Sequence, residues 1–302
     1  MKHIVAVDQF ERPWIEHLFD SADKMRNVRA SDGPLRDRIL ATLFYEPSTR
    51  TRLSFESAML RLGGQVVSTE NAREFSSAIK GESVEDTIRI VNGYADGIVI
   101  RHHEQGAAAR AAAVSTVPVI NGGDGPGEHP TQALLDFYTI RAELGVLDDL
   151  KVALVGDLRF GRAVRSLALM FRLTRNAELI FVSPSAVPMG DDVRRALDDA
   201  GVRHRDEPDL GKAMNEADVV YQTRIQRERF VTQQEYDAAH GIYIIDEEHL
   251  THLGPNAIIL HPLPRVDEIA PEVDSDPRAA YFRQAHNGVF IRMALLAEVM
   301  SS

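Results

Sequence analysis

The 302 residues include 44% hydrophobic and 26% charged side chains, a balance typical of globular proteins, and this length suits two domains. The net charge of −11 argues against general nucleic-acid binding, so an anionic ligand must be held by local arginines. With 0 cysteines, disulfides, thiolate metal sites and a cysteine nucleophile are excluded. No apolar stretch reaches about 18 residues and no signal-peptide pattern opens the chain, so we expect a cytoplasmic protein without membrane contact.

Short apolar runs recur along the chain, with enough residues between them for a helix or a long loop. This alternation predicts an α/β fold with two doubly wound parallel-sheet domains joined by interdomain helices. We place the first domain at residues 1–130, completed by a C-terminal helix over about 286–302, and the second at 131–285. The predicted strands are 39–44, 98–100, 117–120, 152–155, 179–182, 218–221 and 257–260.

The turn after the first predicted strand contains the most informative stretch, Ser48-Thr49-Arg50-Thr51. It lies between that strand and the start of an amphipathic helix. The N–H groups and the dipole of a helix N-terminus attract anions, and hydroxyl and guanidinium groups add donors for a tetrahedral anion. We therefore predict a phosphate-binding turn, and the alternative is a capped helix with solvated arginines.

The next two predicted strands also end in polar groups. Arg101 and the pair His102-His103 follow the second strand, and a glycine-rich loop after the third leads to His129 and Gln132 at a helix start. An arginine beside a neutral histidine suits stabilising a carbonyl oxygen that gains negative charge. The histidine pair suggests zinc, but no second ligand cluster at metal spacing accompanies it, so we predict no metal. On its own, His129 fits a capping or structural histidine equally well.

The second half of the chain repeats this arrangement of polar residues after strands. Arg162 opens a helix, Arg224 and Gln226 follow a later strand, and a His-Pro-Leu-Pro-Arg stretch that contains Leu263 follows the last one. Two arginines from separate loops are suited to binding a dicarboxylate, although single arginines are more often solvated. The glycines before Arg162 lack the G-x-G-x-x-G spacing, which argues against a nucleotide-binding oxidoreductase.

Five motifs in this order resemble the catalytic chains of the aspartate/ornithine carbamoyltransferase family, and the resemblance runs nearly from end to end. The last three motifs favour the aspartate branch, because ornithine enzymes have His-Cys-Leu-Pro at the final one and this chain has no cysteine. The five motifs are residues 44–52, 129–132, 155–162, 223–226 and 261–265.

The resemblance implies that a carbamoyl group passes from carbamoyl phosphate to L-aspartate, the committed step of de novo pyrimidine (UMP) biosynthesis, with no cofactor. The catalytic residues would be Thr51, Arg101, His129 and Lys80. Carbamoyl phosphate would be bound by Ser48, Thr49, Arg50, Thr51, Ser76, Lys80, Arg101, His129 and Gln132. Aspartate would be bound by Lys80, Arg162, Arg224, Gln226 and the carbonyl group of Leu263.

The resemblance also implies an assembly. The segment 76–82 matches the family segment that reaches into a neighbouring subunit's site with Ser76 and Lys80, which implies a homotrimer with shared active sites. Glu46 would act as a latch between the domains by pairing with Arg162 and Arg229. Regulatory chains that join two trimers, or a dihydroorotase, are further partners that the resemblance allows.

Two other functions remain open on the sequence. The first is a carbamoyltransferase that uses another amine acceptor, such as ornithine, against which Arg224 and Gln226 argue. The second is a non-catalytic subunit that binds a metabolite for assembly or regulation. Every polar position expected for turnover is present, which favours an enzyme.

Overall fold

The computed structural model of the chain describes residues 2–70 and 81–301. Ser76 and Lys80, which the resemblance places in a shared active site, lie outside the described residues. None of the helices in these two stretches is long and apolar enough to cross a membrane.

The chain divides into two compact units, and both divisions fall inside helices. The first lies between Leu134 and Leu135 and the second between Ala285 and His286. One unit therefore contains the N-terminal part of the chain together with most of the last helix, from His286 onward. The predicted fold class, with two α/β domains connected by helices, is confirmed by this division and by the sheets described below.

The first unit alternates strands and helices along its described residues. Its strands are β1 (Ile39–Phe44), β2 (Gln65–Glu70), β3 (Gly97–His102) and β4 (Val119–Asp124), and its helices are α1 (Arg12–Met25), α2 (Thr49–Arg61), α3 (Val84–Val91) and α4 (Ala107–Val114). The strands form a parallel sheet in the order β2-β1-β3-β4. The helix α5 (Pro130–Leu144) follows and continues into the second unit.

The strand β2 was not predicted, because it lacks a continuous apolar run. It reads Gln-Val-Val-Ser-Thr-Glu and is the edge strand of the sheet, where much of it stays in contact with solvent. Strands β3 and β4 also extend further than predicted, so that Arg101 and His102 are the last residues of β3 instead of the loop after it. The residues 121–124, predicted as a loop, are the end of β4.

The helix α2 is fixed to the sheet by one apolar face and ends at a glycine. Phe55, Ala58 and Met59 are buried, and burying a side chain such as Phe55 stabilises the fold by about 2 kcal/mol. Gly63 has a φ of 82°, a left-handed conformation that costs glycine little, and the Gly64 N–H donates to the Met59 carbonyl. The packing therefore sets the position of the helix N-terminus.

The last helix, α11 (Tyr281–Met300), belongs to the first unit from His286 onward. The Arg292 guanidinium lies 5.0 Å from the centre of the Phe55 ring. The Arg26 Nη2 donates to the Asn287 Oδ1 at 3.0 Å. These contacts join the C-terminal segment to residues more than two hundred positions earlier, which the sequence pattern alone does not indicate.

The second unit contains a five-stranded parallel sheet among its described residues. Its strands are β5 (Lys151–Val155), β6 (Glu178–Val182), β7 (Arg203–Asp206), β8 (Val219–Gln222) and β9 (Ile258–Leu260), and its helices are α6 (Arg162–Met170), α7 (Asp191–Asp199), α8 (Leu210–Glu216), α9 (Gln233–Asp237) and α10 (Glu247–Leu250). The order is β7-β6-β5-β8-β9. The polar edge strand β7, Arg-His-Arg-Asp, was missed for the same reason as β2.

Neighbouring parallel strands bring the predicted motifs together within each unit. In the first unit the motifs follow β1, β3 and β4, and β3 lies between the other two. In the second unit they follow β5, β8 and β9, which are also adjacent. Since the carboxyl ends of parallel strands meet at one edge of a sheet, each unit presents a cluster of polar side chains there.

Candidate active site

The turn after β1 places the predicted phosphate-binding residues at the N-terminus of α2. Ser48 is the N-cap residue, and its side chain makes no capping hydrogen bond to the helix. Its hydroxyl is therefore not committed to the first turn of α2. Thr49 and Arg50 begin the helix and Thr51 is buried, so the four residues surround a region where backbone N–H groups and the helix dipole favour an anion.

Arg52, which directly follows Thr51, has a structural role. Its Nη2 lies 2.7 Å from the Glu70 Oε2, and its Nη1 lies 3.4 Å from the Ser68 Oγ. Both partners belong to β2, so Arg52 ties α2 to the edge strand.

Arg101 lies at the end of β3, in the middle of the cluster. Its carbonyl accepts a hydrogen bond from the Tyr45 N–H at 2.8 Å, and its Nη1 donates to the Gly122 carbonyl at 3.2 Å. Its Nη2 is 3.7 Å from the Glu46 Oε2. The guanidinium is thus held beside the turn after β1, where its charge can reach a ligand.

The loop between β4 and α5 is shaped by one carboxylate. The Asp124 side chain accepts hydrogen bonds from the Gly106 N–H and the Glu128 N–H, each at 2.8 Å. At Gly125, where φ is 51°, an added Cβ would lie 2.2 Å from the His103 carbonyl oxygen. The loop therefore packs against the end of β3 and needs glycine at this point.

This loop delivers His129 to the N-terminus of α5. The carbonyl of His129 accepts hydrogen bonds from the Gln132 N–H at 3.0 Å and the Ala133 N–H at 3.1 Å, so His129 is the residue that caps the helix. Pro130 is the first helical residue. The imidazole is buried, and Gln132 lies in the first turn of the same helix.

The neighbouring pair His102 and His103 lies beside Glu104 at the end of β3. Burial, and next the charge of His103, lower the pKa of His102 to about 4, so its ring is neutral at pH 7. The Nδ1 of His102 accepts the Glu104 N–H at 3.0 Å. Side-chain atoms of these three residues lie within 4.8 Å of one another, but this hydrogen bond commits one imidazole nitrogen to the backbone.

In the second unit, Asp157 joins the loops after β5 and β8. Its side chain is fully buried, and it accepts hydrogen bonds from the Phe160 N–H at 2.8 Å and the Gln226 N–H at 3.4 Å. An added Cβ at Gly156 would lie 2.2 Å from the Thr223 carbonyl oxygen, so the two loops are in close contact. Arg162 begins α6 just beyond this junction.

A cavity of about 190 Å³ opens at the carboxyl end of β8. Its lining includes Gln222, Arg224, Tyr236, His240 and Asp267. The His240 Nε2 lies 2.8 Å from the Asp267 Oδ2, and the rings of His240 and Tyr236 are 4.8 Å apart. The lining contains carboxylates as well as the Arg224 and Arg227 guanidinium groups, and an anionic group of a small ligand can bind beside the two arginines.

The stretch after β9 has an unusual backbone that a histidine supports. Leu263 has a φ of 50°, which side chains other than glycine seldom adopt, and the bond to Pro264 is cis. The Leu263 N–H donates to the His261 Nδ1 at 2.7 Å, and the His261 Nε2 is 2.7 Å from the Glu268 Oε1. Burial would raise the pKa of Glu268, but hydrogen bonds from His261 and the backbone hold it below its usual value.

Three carboxylates, Asp124, Asp157 and Glu268, thus support the predicted residues and were given no role from the sequence. Each acts on backbone N–H groups in a loop that carries a predicted ligand residue. The available signal was an acidic residue inside or next to a motif. Acidic side chains are common on loops, so this signal did not distinguish them.

Comparison with known proteins decides the family. A model of the aspartate/ornithine carbamoyltransferase carbamoyl-P binding domain matches residues 2–142, and a model of the Asp/Orn binding domain of the same family matches residues 148–299. The chain belongs to the aspartate/ornithine carbamoyltransferase family. The predicted membership is thereby confirmed, and the nucleotide-binding oxidoreductase is ruled out.

Individual members of the family are similar along almost the whole chain. The chloroplastic aspartate carbamoyltransferase of Arabidopsis thaliana is 57% identical over 98% of this chain and 77% of its own length. The solved catalytic subunit of the M. jannaschii aspartate transcarbamoylase is 45% identical, with a TM-score of 0.90 over 99% of this chain and 98% of that one. An aspartate transcarbamoylase from Trypanosoma cruzi, solved with N-(phosphonacetyl)-L-aspartic acid, is 41% identical, with a TM-score of 0.91 over 99% and 95%.

Proposed function

We propose that this carbamoyltransferase converts carbamoyl phosphate and L-aspartate into N-carbamoyl-L-aspartate and phosphate, the committed step of de novo pyrimidine biosynthesis. The observation that carries the proposal is the pair of polar clusters at the carboxyl ends of the two sheets. One contains a helix N-terminus, and the other contains Arg224 beside a cavity and Arg162 at the start of the helix after β5. Relatives named aspartate carbamoyltransferase align with nearly the whole chain, which supports aspartate as the acceptor.

The first unit binds carbamoyl phosphate in this proposal. The helix N-terminus and its hydroxyl and guanidinium groups hold the phosphate, while buried side chains around Arg101 contact the carbamoyl group. Phosphate is held by Ser48, Thr49, Arg50 and Thr51, and the carbamoyl group by Thr51, Arg101, His129 and Gln132.

The second unit binds L-aspartate. Arg224 lies on the loop after β8, and Arg162 opens α6 at the end of the loop after β5. Asp157 and Gly156 hold these two loops together, so two guanidinium groups can contact two carboxylates. Gln226 adds an amide, and the carbonyl of Leu263 orients the reacting amine.

The chemistry needs no cofactor and no covalent intermediate. The neutral α-amine of aspartate attacks the carbamoyl carbon, a C–N bond forms, and the bond from carbon to the phosphate oxygen breaks with its electron pair on phosphate. The departing phosphate takes the amine proton. Negative charge develops on the carbonyl oxygen, which Thr51, Arg101 and His129 stabilise by hydrogen bonding. Orientation and charge stabilisation together contribute on the order of 10 kcal/mol.

The proposed latch uses Glu46 of the first unit and Arg162 and Arg229 of the second when both substrates are bound. In this structure the Glu46 Oε2 lies 3.7 Å from the Arg101 Nη2. The Nε of Arg229 is buried and has no hydrogen-bond partner among the described residues. A buried donor without a hydrogen-bond partner supports the proposal that an acceptor reaches it when the site closes around the substrates.

The enzyme is a homotrimer with shared active sites in this proposal. Leu53 and Leu60, one face of α2, and Val67 on the edge strand β2 are exposed large hydrophobic side chains. An apolar face beside an unpaired strand edge is typical of an interface with another chain. The segment with Ser76 and Lys80 follows β2 directly and would enter the neighbouring site. The cytoplasmic location and any regulatory chains or dihydroorotase stay predictions, and the plant relatives are named chloroplastic.

An amine panel tests the reaction. The purified protein is supplied with carbamoyl phosphate and either L-aspartate, L-ornithine or another amino acid, and product and phosphate are measured. We expect N-carbamoyl-L-aspartate and phosphate in equal amounts. Turnover with ornithine alone would show that ornithine, and not aspartate, is the acceptor. An intact oligomer without turnover would favour the non-catalytic subunit.

Subunit exchange tests the shared site. Lys80→Ala and Arg101→Ala proteins are each inactive, and after exchange every mixed trimer contains one site with both native residues. With equal amounts, three quarters of the trimers are mixed, so about a quarter of the wild-type sites return. Recovery that stays at zero after verified exchange would contradict shared sites.

A further inference from the structure

A buried carboxylate lies behind the backbone stretch that carries Leu263. The Glu268 side chain is 8% exposed and that of His261 is 1% exposed. The Glu268 Oε1 lies 2.7 Å from the His261 Nε2, and its Oε2 accepts the Val266 N–H at 3.1 Å and the Asp267 N–H at 3.2 Å. Both oxygens of the carboxylate are therefore used to organise one short stretch of chain.

The hydrogen bonds define the protonation of the imidazole. The Leu263 N–H is a donor, so the His261 Nδ1 that it contacts at 2.7 Å must accept. The single proton of the neutral ring is then on Nε2, where it is donated to Glu268. Glu268 thus selects the tautomer of His261 that can hold the Leu263 N–H.

The same histidine is anchored from its backbone side. The His261 N–H donates to the Gln284 Oε1 at 2.8 Å, and the Gln284 Nε2 donates to the Asp136 Oδ1 at 2.6 Å. The Asp136 Oδ2 accepts the Tyr221 hydroxyl at 2.7 Å. This chain of buried groups joins α5, α11 and β8 to the stretch after β9, so the position of His261 is set by three separate elements.

Leu263 is where the network ends. Its φ of 50° is disfavoured for a leucine, so the conformation persists only if surrounding interactions hold it. The hydrogen bond to His261 is such an interaction: it holds the peptide between Pro262 and Leu263. Together with the φ of 50° at Leu263, that peptide sets the direction of the next one, which carries the Leu263 carbonyl group of the proposed reaction.

We propose that Glu268 is a positioning residue that acts through His261 on the Leu263 backbone and thereby sets the orientation of the acceptor amine. The inference rests on the proposed function, because the acceptor is the amine of L-aspartate. Glu268 also lines the cavity at the end of β8, but both of its oxygens accept hydrogen bonds from within the protein, so its action on the acceptor is assigned to Leu263 and not to a direct contact.

The variant Glu268→Gln changes the proton pattern with almost no change in shape. A carboxylate accepts on both oxygens, whereas an amide has one oxygen and one NH₂ group. If the NH₂ group faces His261, the ring must move its proton to Nδ1, which then opposes the Leu263 N–H. If it faces the other side, it opposes the Val266 and Asp267 N–H groups. Either orientation disturbs the stretch.

Glu143→Gln is the matched control. Glu143 also accepts two hydrogen bonds in the second unit, both from Arg283, at 2.7 and 2.8 Å, and it is not part of the chain of groups that leads to Leu263. Both variants lose one negative charge from a paired carboxylate. A general effect of charge or stability would therefore appear in both.

Steady-state kinetics with both substrates is the test, with carbamoyl phosphate binding measured separately by calorimetry. We expect kcat/KM for aspartate to fall about thirtyfold in Glu268→Gln and to stay within about twofold in Glu143→Gln. The Kd of carbamoyl phosphate should stay within about twofold of wild type in both. Equal kcat/KM values in the two variants, or a loss of carbamoyl phosphate binding in Glu268→Gln, would overturn the positioning role.

A measurement on the wild type does not depend on the folding of any variant. The protein labelled with ¹⁵N-histidine should show the His261 ring with its proton on Nε2 at pH 7. A proton on Nδ1 would overturn the inference. If the wild type forms product but the kinetics of Glu268→Gln match the control, only this inference fails, whereas a wild type without turnover overturns the proposed function together with it.

Discussion

The candidate sites of the two units are built by different means. In the first unit, Ser48, Thr49, Arg50 and Thr51 are consecutive, and one strand-to-helix turn places all of them. In the second, the ligand residues come from loops after three strands, and buried carboxylates hold those loops together.

The difference lies in how far a side chain is from the ligand that it affects. In the first unit the helix backbone supplies the geometry, so the exposed donors are also the binding groups. In the second unit a ligand residue is correctly positioned only if Asp157 or Glu268 keeps its loop in place. We therefore expect direct losses of binding in the first unit and smaller, transmitted losses in the second.

The largest effect is expected from Arg50→Ala in the first unit. Loss of the guanidinium removes a charged donor for the phosphate, so kcat/KM should fall about 10³-fold or more. The control is Arg61→Ala, an exposed arginine in the last turn of the same helix. Steady-state kinetics gives kcat/KM for both variants. A wild-type rate in Arg50→Ala would contradict the proposed phosphate-binding role of this turn.

Arg224→Ala in the second unit should raise the KM for aspartate about 100-fold, since one charged pairing with a carboxylate is lost. Binding of carbamoyl phosphate, followed by calorimetry, should not change. Arg203→Ala, on the exposed edge strand β7, provides the comparison. A variant of Arg224 that bound aspartate normally but lost carbamoyl phosphate would reverse the assignment of the two units.

Asp157→Asn tests whether a buried carboxylate in the second unit affects aspartate binding through the loops that it holds. The amide can no longer accept from both the Phe160 and Gln226 N–H groups, so the loops after β5 and β8 should separate slightly. We expect an increase of about tenfold in the KM for aspartate. The same KM as wild type, in a protein with an unchanged melting temperature, would show that Asp157 only stabilises the fold.

The smallest effect is on stability against acid. Hydrogen bonds keep the pKa of Glu268 below its usual value, so the folded state favours the carboxylate. This contribution is complete above the unfolded pKa of about 4.3 and is lost as the pH falls through the lower, folded pKa. In urea unfolding, the free-energy difference between wild type and Glu268→Gln should therefore shrink from pH 6 to pH 3. A constant difference would indicate that the carboxylate is not stabilised in this way.

The two sheets show which strands a sequence pattern reveals. Central strands such as β1 and β5 are buried on both faces, so their apolar runs were predicted to within one residue at each end. The edge strands β2 and β7 keep contact with solvent and contain mainly polar residues. A search for apolar runs therefore does not detect them. Strand order depends on partners that lie far apart in the chain.

The residues of the candidate sites also divide into those that the sequence reveals and those that only the structure reveals. Arg50 and Arg224 were found because a charged residue after a buried strand is informative wherever the sheet is parallel. The support of Leu263 was not found, because it depends on Glu268 and on Gln284, which lies 23 residues from its partner His261.

The amino-acid sequence alone determined the fold class, the family and the chemical types of the ligand groups, since apolar runs, glycine spacing and motif order are properties of neighbouring residues. The tertiary structure alone decided which carboxylates hold which loops and which nitrogen of His261 carries the proton. Those features depend on buried hydrogen bonds between groups that folding brings together, and their strength comes from the exclusion of water.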